Sequence, residues 1–284
     1  MIFGLTAALG WGFADFFGAI GGRRIGAIGA VISGQLLSAL FITAVVLVTG
    51  ESLAPLGDDL WLLALNGVAT AFAYATHYKA LELGPVAVVS PIGAGYAVVA
   101  VALTMVVLGE RPSALALTGA AITVVGVALV STDLRKLREG IRGHAPGVPW
   151  AIAAAIGFGV AGFLLSWISD RAGWAAGLWG SRIAQVACYV PLALFFRAEL
   201  ARLRIGIGLL IALLAGAADI LGVVSLSVGS ERGENSIVLA ASAVFPLIAV
   251  ALSIVVLRER LVPNQVVGVV GVVLGLLLLG VGSV

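Results

Sequence analysis

The side chains in this sequence that can carry charge-based chemistry are few, and four of them lie inside long apolar stretches. These are Asp15, His77, Arg182 and Asp219. A charged side chain at the centre of a bilayer costs about 2.5–3.5 kcal/mol even on a permissive scale, so such residues face a partner or a water-filled cavity. Together they indicate a polar site inside an apolar protein.

Arg182 and Asp219 have two interpretations, and the sequence does not choose between them. In the functional one, the Arg182 guanidinium binds an anionic group, while the Asp219 carboxylate takes an amine or a proton and is a candidate for proton coupling. In the structural one, the two side chains form a buried ion pair that locks two helices together.

Asp15 and His77 are the other candidates for proton coupling. Asp15 is either a carboxylate that takes a proton or an amine, or a structural partner for His77 or for Arg23 and Arg24. Histidine titrates near neutral pH and suits proton transfer. His77 lies near a helix end beside Lys79, so an interfacial structural role is favoured over proton transfer.

Neutral polar and aromatic side chains in the same apolar stretches extend the candidate substrate-binding site. A few placed polar groups orient a substrate, and aromatic rings form a wall around it. For each aromatic residue taken alone, packing between helices is the simpler explanation. Besides Asp15, Arg182 and Asp219, the candidates for substrate binding are Trp11, Gln35, Tyr74, Tyr96, Trp179 and Gln185.

The sequence contains no motif of metal, cofactor or nucleic-acid chemistry. His77 and His144 lie far apart, and the lone Cys188 lies in an apolar run, so we predict no metal site and no disulfide within the chain. No phosphate-binding loop of the Walker type is present, and the basic residues lack interleaved aromatics. We therefore expect no catalytic residues, no cofactor and no nucleic-acid partner.

The composition is that of an integral membrane protein embedded in a lipid bilayer. Of the 284 residues, 61% are hydrophobic and 11% are charged, whereas soluble domains have about a quarter charged residues. A helix needs roughly 20 mainly apolar residues to cross the bilayer, and these runs do not alternate as barrel strands do. We predict an all-α integral membrane protein with ten transmembrane helices, at residues 2–20, 28–48, 60–82, 86–108, 113–132, 149–168, 175–196, 205–228, 235–257 and 264–282.

The predicted boundaries place Arg182 and Asp219 at a similar height. Arg182 lies about seven residues into the seventh helix, roughly 10 Å at 1.5 Å per residue, and Asp219 about 14 residues into the eighth, roughly 21 Å. These helices enter from opposite faces of a core about 30 Å thick, so the two side chains are able to pair. Asp15 lies about 20 Å from the face that bears the N-terminus.

Basic residues are distributed unequally between the two faces of the predicted membrane domain. Of the 16 basic residues, twelve lie in or beside the loops that follow odd-numbered helices, and three lie in the loops that follow even-numbered helices. The remaining one, Arg182, lies deep within a helix. By the positive-inside rule, the odd-numbered loops face the cytoplasm and both termini lie outside it. We expect a multi-pass protein of the cell membrane.

The two halves of the sequence resemble each other. At an offset of 149 residues, Leu108-Gly109-Glu110-Arg111 matches Leu257-Arg258-Glu259-Arg260. At an offset of 147, Gly10-Trp11-Gly12 matches Gly157-Phe158-Gly159. Glycines are common in membrane helices, so the ordered set of matches carries the prediction of an internal repeat, and no single match does.

The predicted organisation is a first five-helix repeat at 1–132, a basic connecting loop at 133–148 and a second five-helix repeat at 149–284. Because five is odd, the second copy enters the membrane from the opposite face. The fold predicted is therefore two inverted five-helix repeats, the plan of many secondary transporters, which hold the substrate near the midplane between the repeats.

Small residues and prolines give two expectations about helix packing. The fifth and tenth helices lack ionisable groups and carry small residues such as Gly271 and Gly275, so we expect them at the periphery in tight contact. Pro91 and Pro246 fall inside the fourth and ninth helices, where proline kinks a helix and frees a carbonyl toward a cavity.

Three sets of residues stand out: Val244-Phe245-Pro246-Leu247-Ile248, Leu257-Arg258-Glu259-Arg260 with Gln265 and Gly268, and Leu108-Gly109-Glu110-Arg111 with Gly119. Together with the Gly10-Trp11-Gly12 start and the ten predicted helices, they resemble the EamA-type family of the drug/metabolite transporter superfamily over nearly the whole chain. The resemblance implies a central cavity formed by helices 1–4 and 6–9, with helices 5 and 10 outside, and transport of metabolites, amino acids or drugs. Arg182 resembles an arginine often found early in the second helix of the family's repeat, where the first half has Gln35. Asp15 and the charged turn at 231–234 depart from the family's pattern.

We therefore expect a secondary transporter, and not an enzyme, that moves a small metabolite, amino acid or drug by alternating access coupled to protons. One alternative is an integral-membrane enzyme, which would need a cluster of His, Asp or Glu at one membrane face. The other is a non-transporting membrane partner protein, in which Asp15, Arg182 and Asp219 would all tolerate apolar replacement.

Overall fold

The computed structural model describes residues 1–109, 111–139, 143–200, 205–231, 238 and 241–282. Within these ranges the chain forms helices and turns and contains no strand, as predicted. The helices are α1 Ile2–Ile25, α2 Ala27–Thr49, α3 Leu60–Leu83, α4 Val86–Ala94, α5 Tyr96–Leu103, α6 Ala114–Ser131, α7 Leu134–Arg138, α8 Val148–Ala172, α9 Trp174–Phe195, α10 Arg197–Leu200, α11 Ile207–Glu231, α12 Phe245–Val256 and α13 Pro263–Gly282. Outside the described ranges lie Glu110, three of the twelve basic residues counted above (Arg142, Arg202 and Arg204) and three residues of the charged turn (Arg232, Gly233 and Glu234).

Eight helical segments in the described part of the chain are long and apolar enough to cross a membrane, with α4, α5 and a following π turn forming one of them, Val86–Leu108. α3 is not among the eight although it has 24 residues, because it carries polar residues such as Asn66 and His77. α12 has only 12 residues, and the start of the predicted ninth helix lies outside the described ranges. Ten transmembrane helices therefore stay a prediction.

One-residue turns at two glycines show the internal repeat in the backbone. Gly26 joins α1 to α2 with φ 80 and ψ 149, and Gly173 joins α8 to α9 with φ 81 and ψ 157. The two glycines are 147 residues apart, the offset found in the sequence. Residues with a Cβ rarely adopt this conformation, so the turn depends on glycine in both copies.

The contact between α6 and α13 shows how the two copies are related. Gly119 packs against the Gly275 backbone, and Gly126 packs against the Gly268 backbone. The offset of 149 residues converts the first pair into the second, so a pseudo-twofold axis passes between the helices. The pairs also run in opposite chain directions, so α6 and α13 are antiparallel and the two repeats have opposite orientations.

Helices from the two repeats mix in two groups that we call the first and second bundles. The first bundle contains α1, α2, α11 and α12, and the second contains α3, α4, α5, α8 and α9. α6 and α13 pack mainly on each other, beside both bundles. Neither repeat is therefore a separate globule, and the interface between the bundles cuts across the order of the chain.

The same close approach recurs in both bundles. Gly10 of α1 meets the Gly222 backbone of α11, and Gly157 of α8 meets Ala73 of α3. These are equivalent pairs under the offsets of 147 and 149 residues. With glycine or alanine at these positions the helix backbones approach closely, and this packing replaces the hydrophobic driving force that lipid does not supply.

The segment predicted as a basic connecting loop contains a short helix. In α7, the Asp133 side chain accepts hydrogen bonds from the backbone nitrogens of Arg135 and Lys136, at 3.0 and 3.4 Å. A carboxylate at this position satisfies amide groups that have no partner within the helix.

We expect Gly126→Ala to lower the unfolding free energy by about 1–3 kcal/mol, because overpacking a tight contact has a cost of that order. A Cβ atom at Gly126 would lie 2.6 Å from the Val272 backbone nitrogen, which has no room to move. Gly162→Ala is the matched control, because no atom lies within 4 Å of its Cβ position. Thermal unfolding in detergent micelles measures both variants, and equal midpoints would contradict the contact.

Candidate functional site

The Arg182 guanidinium is the centre of a buried hydrogen-bond network. Its Nη2 donates to Asp219 Oδ2 at 3.0 Å and to the Tyr74 hydroxyl at 3.1 Å. Its Nη1 donates to Gln35 Oε1 at 2.7 Å and to Gln185 Oε1 at 3.0 Å. All five side chains are buried. Arg182 and Asp219, which the helix depths allowed to pair, thus lie in direct contact.

The network satisfies the Asp219 carboxylate and encloses the arginine. The Tyr74 hydroxyl donates to Asp219 Oδ1 at 2.7 Å, so both carboxylate oxygens have donors. Arg182 Cζ lies 5.1 Å from the centre of the Tyr74 ring, a distance at which the ring face attracts a cation. A charge pair with additional hydrogen bonds and a ring beside it is the arrangement that a low-dielectric interior requires.

Tyr189 extends the network and was not among the predicted site residues. Gln185 Nε2 donates to the Tyr189 hydroxyl at 2.8 Å, and both side chains are buried. The sequence contained a signal for it, because Tyr189 follows Gln185 by four residues and Arg182 by seven, and such residues share one helix face.

The network lies where the two bundles and the two repeats meet. Gln35 and Asp219 belong to the first bundle, whereas Tyr74, Arg182 and Gln185 belong to the second. Gln35 and Arg182 are 147 residues apart and hold equivalent positions in the two repeats. The arginine of one copy therefore binds the glutamine of the other across the pseudo-twofold axis, and the second repeat supplies both charges.

Two buried donors of this network have no hydrogen-bond partner among the described residues. They are Arg182 Nε and Gln35 Nε2. The hydroxyl of Ser38, one turn from Gln35 on α2, is also buried without a partner among the described residues. Leaving a buried polar group unpaired costs about 1–3 kcal/mol. Since both nitrogens are donors, the group that would satisfy them is an acceptor, such as a carboxylate oxygen or a water.

Asp15 and His77 form a second buried polar pair. His77 Nε2 lies 2.7 Å from Asp15 Oδ1, and this contact also joins the first bundle to the second. His77 is only 7% exposed, so its side chain faces the interior of the helix assembly, and an interfacial structural role for it stays a prediction. Asp15 Oδ2 and His77 Nδ1 are buried without partners in the described part of the structure.

Phe158 connects the two polar sites and was missed as a site residue. Its ring centre lies 4.9 Å from that of Tyr74 and 5.5 Å from that of His77, with the rings edge to face. The repeat contained the signal, because Phe158 occupies the position of Trp11 in the second copy. The two polar sites thus share one aromatic neighbour.

The other predicted aromatic residues lie elsewhere and do not form one wall with Tyr74. Trp11 and Tyr96 line a separate small cavity of about 60 Å³ together with Phe245. Trp179 packs between helices and donates from Nε1 to Thr43 Oγ1 at 3.1 Å. Their spacing along the chain did not reveal this separation.

Breaks in two helices lie beside this small cavity. α4 and α5 are separated at Gly95, and α12 begins at Phe245 after a turn at Val244. Gly95 and Val244 are 149 residues apart, so the break is repeated. Pro91 lies inside α4 as expected, but the expectation for Pro246 is wrong. Pro246 lies in the first turn of α12, where its missing N–H leaves no bond unmade.

No group of three or more metal-ligating His, Cys, Asp or Glu side chains occurs among the described residues.

Comparison with known proteins identifies the family. The profile of the EamA-like transporter family matches residues 1–132 and 145–281, almost the whole chain in two segments. The chain belongs to the EamA-like transporter family. A solved crystal structure of a protein that is 19% identical matches 98% of this chain over 94% of its own length, with a TM-score of 0.66. At this identity the likeness shows the fold alone. No curated protein sequence matches the chain.

Membership in the EamA-like family makes the chain a multi-pass membrane protein of a transporter family. The two matched segments coincide with the two copies that share the Gly26 and Gly173 turns. The buried arginine network of this EamA-like protein therefore lies between its repeats, the region in which repeat-built transporters hold their substrates.

We expect Asp219→Leu to lower the unfolding free energy by about 3–5 kcal/mol, because it leaves the Arg182 charge buried without a counterion. The double variant Arg182→Met/Asp219→Leu should recover much of that loss, since neither charge then remains. Thermal unfolding in detergent measures all three proteins. Strictly additive losses would show that the pair is not coupled.

Proposed function

We propose that this EamA-like protein is a secondary transporter that moves a small metabolite, amino acid or drug across the cell membrane by alternating access coupled to protons. The observation that carries the proposal is the buried Arg182 network, which joins the two bundles and has donors left over. Arg182 Nε and Gln35 Nε2 favour a substrate with an acceptor group, such as a carboxylate. We call the face that carries the loops after the odd-numbered predicted helices the basic face. It is the cytoplasmic face, and both termini lie outside the cytoplasm.

The Arg182–Asp219 pair would serve as an exchangeable counterion. In the structure, Asp219 neutralises Arg182 at 3.0 Å. A substrate carboxylate that binds Arg182 takes over this role, and the displaced Asp219 must then take an amine from the substrate or a proton, since an unpaired buried carboxylate is costly. Substrate binding and neutralisation of Asp219 are thereby coupled.

Asp15 and His77 would form a separate proton site. His77 Nε2 and Asp15 Oδ1 make the 2.7 Å contact. The other polar atom of each side chain, His77 Nδ1 and Asp15 Oδ2, has no hydrogen-bond partner among the described residues and is available to a proton donor or acceptor. Because Asp15 lies in the first bundle and His77 in the second, a proton that changes the strength of their contact also changes how firmly the bundles are held together.

Flux through reconstituted vesicles tests the transport proposal. Vesicles containing the protein are screened for uptake and efflux of amino acids, nucleosides and cationic drugs. We expect saturable flux of at least one class, and Arg182→Ala should abolish it while the protein still inserts. Arg171→Ala is the matched control, because its bond to Asp59 at 2.7 Å lies outside the site. Flux that survives Arg182→Ala would refute the site, and flux of no class would favour a non-transporting protein.

We expect Asp15→Asn to abolish accumulation driven by a pH gradient while substrate exchange at equal pH continues. The change removes an ionisable carboxylate but keeps a hydrogen-bonding side chain beside His77. Uphill uptake and counterflow are measured in the same vesicles with and without a proton ionophore. Accumulation by the wild type that persists after collapse of the pH gradient would exclude proton coupling.

A further inference from the structure

The Glu259 carboxylate makes a set of bonds at the basic face that the central site does not explain. Its Oε1 accepts from the Val86 backbone nitrogen at 3.1 Å, and its Oε2 accepts from the Ala87 backbone nitrogen at 2.9 Å. Arg23 Nη2 lies 3.4 Å from Oε1 and also donates to the Gly84 carbonyl at 2.7 Å. We call these four bonds the latch.

The latch joins the two bundles. Arg23 lies in the last turn of α1 and Glu259 follows α12, so both belong to the first bundle. Gly84, Val86 and Ala87 form the turn from α3 into α4 in the second bundle. The N-terminal turn of α4 attracts the carboxylate, because its amide groups have no partner within the helix and the helix dipole favours negative charge there.

Unusual backbone geometry holds Glu259 in this place. The preceding residue, Arg258, has φ 57, the only positive φ of a non-glycine residue in the described ranges. Its equivalent in the first repeat is Gly109, which has φ 69. The second copy thus has the same left-handed backbone conformation as the first, although arginine adopts it less readily than glycine. A residue held in such a strained conformation points to a function.

The latch covers an apolar layer but remains accessible to water. Arg23, Glu259 and Gly84 line a cleft of about 370 Å³ at the basic face, and the side chains of Arg23 and Glu259 are 35% and 12% exposed. Beneath it, Val89 packs in a buried cluster with α1 and α12 residues, Ala19 and Ala249 among them. Water from the cleft can replace the latch bonds when they open, whereas the glycine contact of α6 and α13 has no such substitute.

We propose that the latch is the gate of the basic face, which holds the two bundles together in the state described and releases when this side opens. This inference rests on the proposed alternating access. Opening requires the Glu259 carboxylate to leave the α4 N-terminus for water in the cleft. Weakening the carboxylate therefore shifts the population toward the state that is open at this face.

A buried reporter thiol tests the gate. Val89→Cys in a Cys188→Ala background places the only thiol of the chain beneath the latch, and cysteine behaves as a small apolar residue there. A membrane-impermeant maleimide is added to sealed vesicles with the basic face outward. We expect Glu259→Gln to speed labelling at least tenfold, because the amide has no charge and meets the α4 amides with one acceptor only.

Glu82→Gln is the matched control. Glu82 lines the same cleft, but its carboxylate binds Lys79 of its own helix at 2.8 Å, so labelling should stay unchanged. Arg23→Gln supplies a second test that keeps the carboxylate cap, and we expect a smaller acceleration from it. If Glu259→Gln does not insert, the Arg23→Gln result decides.

Labelling that is unchanged in Glu259→Gln, or equally fast in Glu82→Gln, would overturn the latch. Labelling needs no substrate, so this failure is separate from that of the transport proposal. If the wild type transports a substrate but Glu259→Gln does not change the labelling rate, the latch alone is refuted. If Glu259→Gln speeds labelling but the wild type transports no substrate class, the transport proposal is refuted and the latch remains as a contact that opens and closes.

Discussion

The structure depends on one electrostatic constraint, which is that the Arg182 charge must be satisfied inside a protein surrounded by lipid. No single neighbour does this. Asp219 supplies the counterion, Tyr74 a ring and a hydroxyl, and Gln35 and Gln185 amide oxygens. These groups come from four different helices, so α2, α3, α9 and α11 must meet at one point. A charge that is costly to bury thereby specifies how the helices assemble.

The internal repeat brings these helices together, and its imperfections create the site. The glycine pairs of α6 with α13 and of α1 with α11 obey the pseudo-twofold relation. The charges do not, since Arg182 faces its equivalent Gln35, and the counterpart of Asp219 at the offset of 149 is Thr70. A symmetric pair of arginines on the axis would repel each other, and the difference between the copies avoids this by placing a neutral glutamine opposite the arginine.

Two kinds of contact hold the helices, and they suit different tasks. Where glycine backbones meet, as at Gly119 and Gly275, packing is close and nothing can replace the partner. Between the two bundles, apolar packing such as that of Val89 with Ala19 and Ala249 is accompanied by polar contacts: the Arg182 network, the Asp15–His77 pair and the Glu259 bonds all cross this interface. Polar bonds exchange with water or with a substrate at modest net cost. The interface that would move in the proposed alternating access is therefore the one that carries these polar groups.

The sequence alone determined the helical class, nearly all helix boundaries, the repeat with its offsets and the common height of Arg182 and Asp219, because these follow from apolar run length and position along the chain. Only the tertiary structure decided how each helix is rotated and which helices share a bundle. Helices that are apolar on all sides carry little periodic signal of their inward face. For that reason only the packing of the helices in three dimensions decided that Asp15 contacts His77, one of the partners that the sequence left open. The packing also placed Phe158 beside both polar sites, separated Trp11 and Trp179 from Tyr74, and brought Glu259 to the α4 N-terminus.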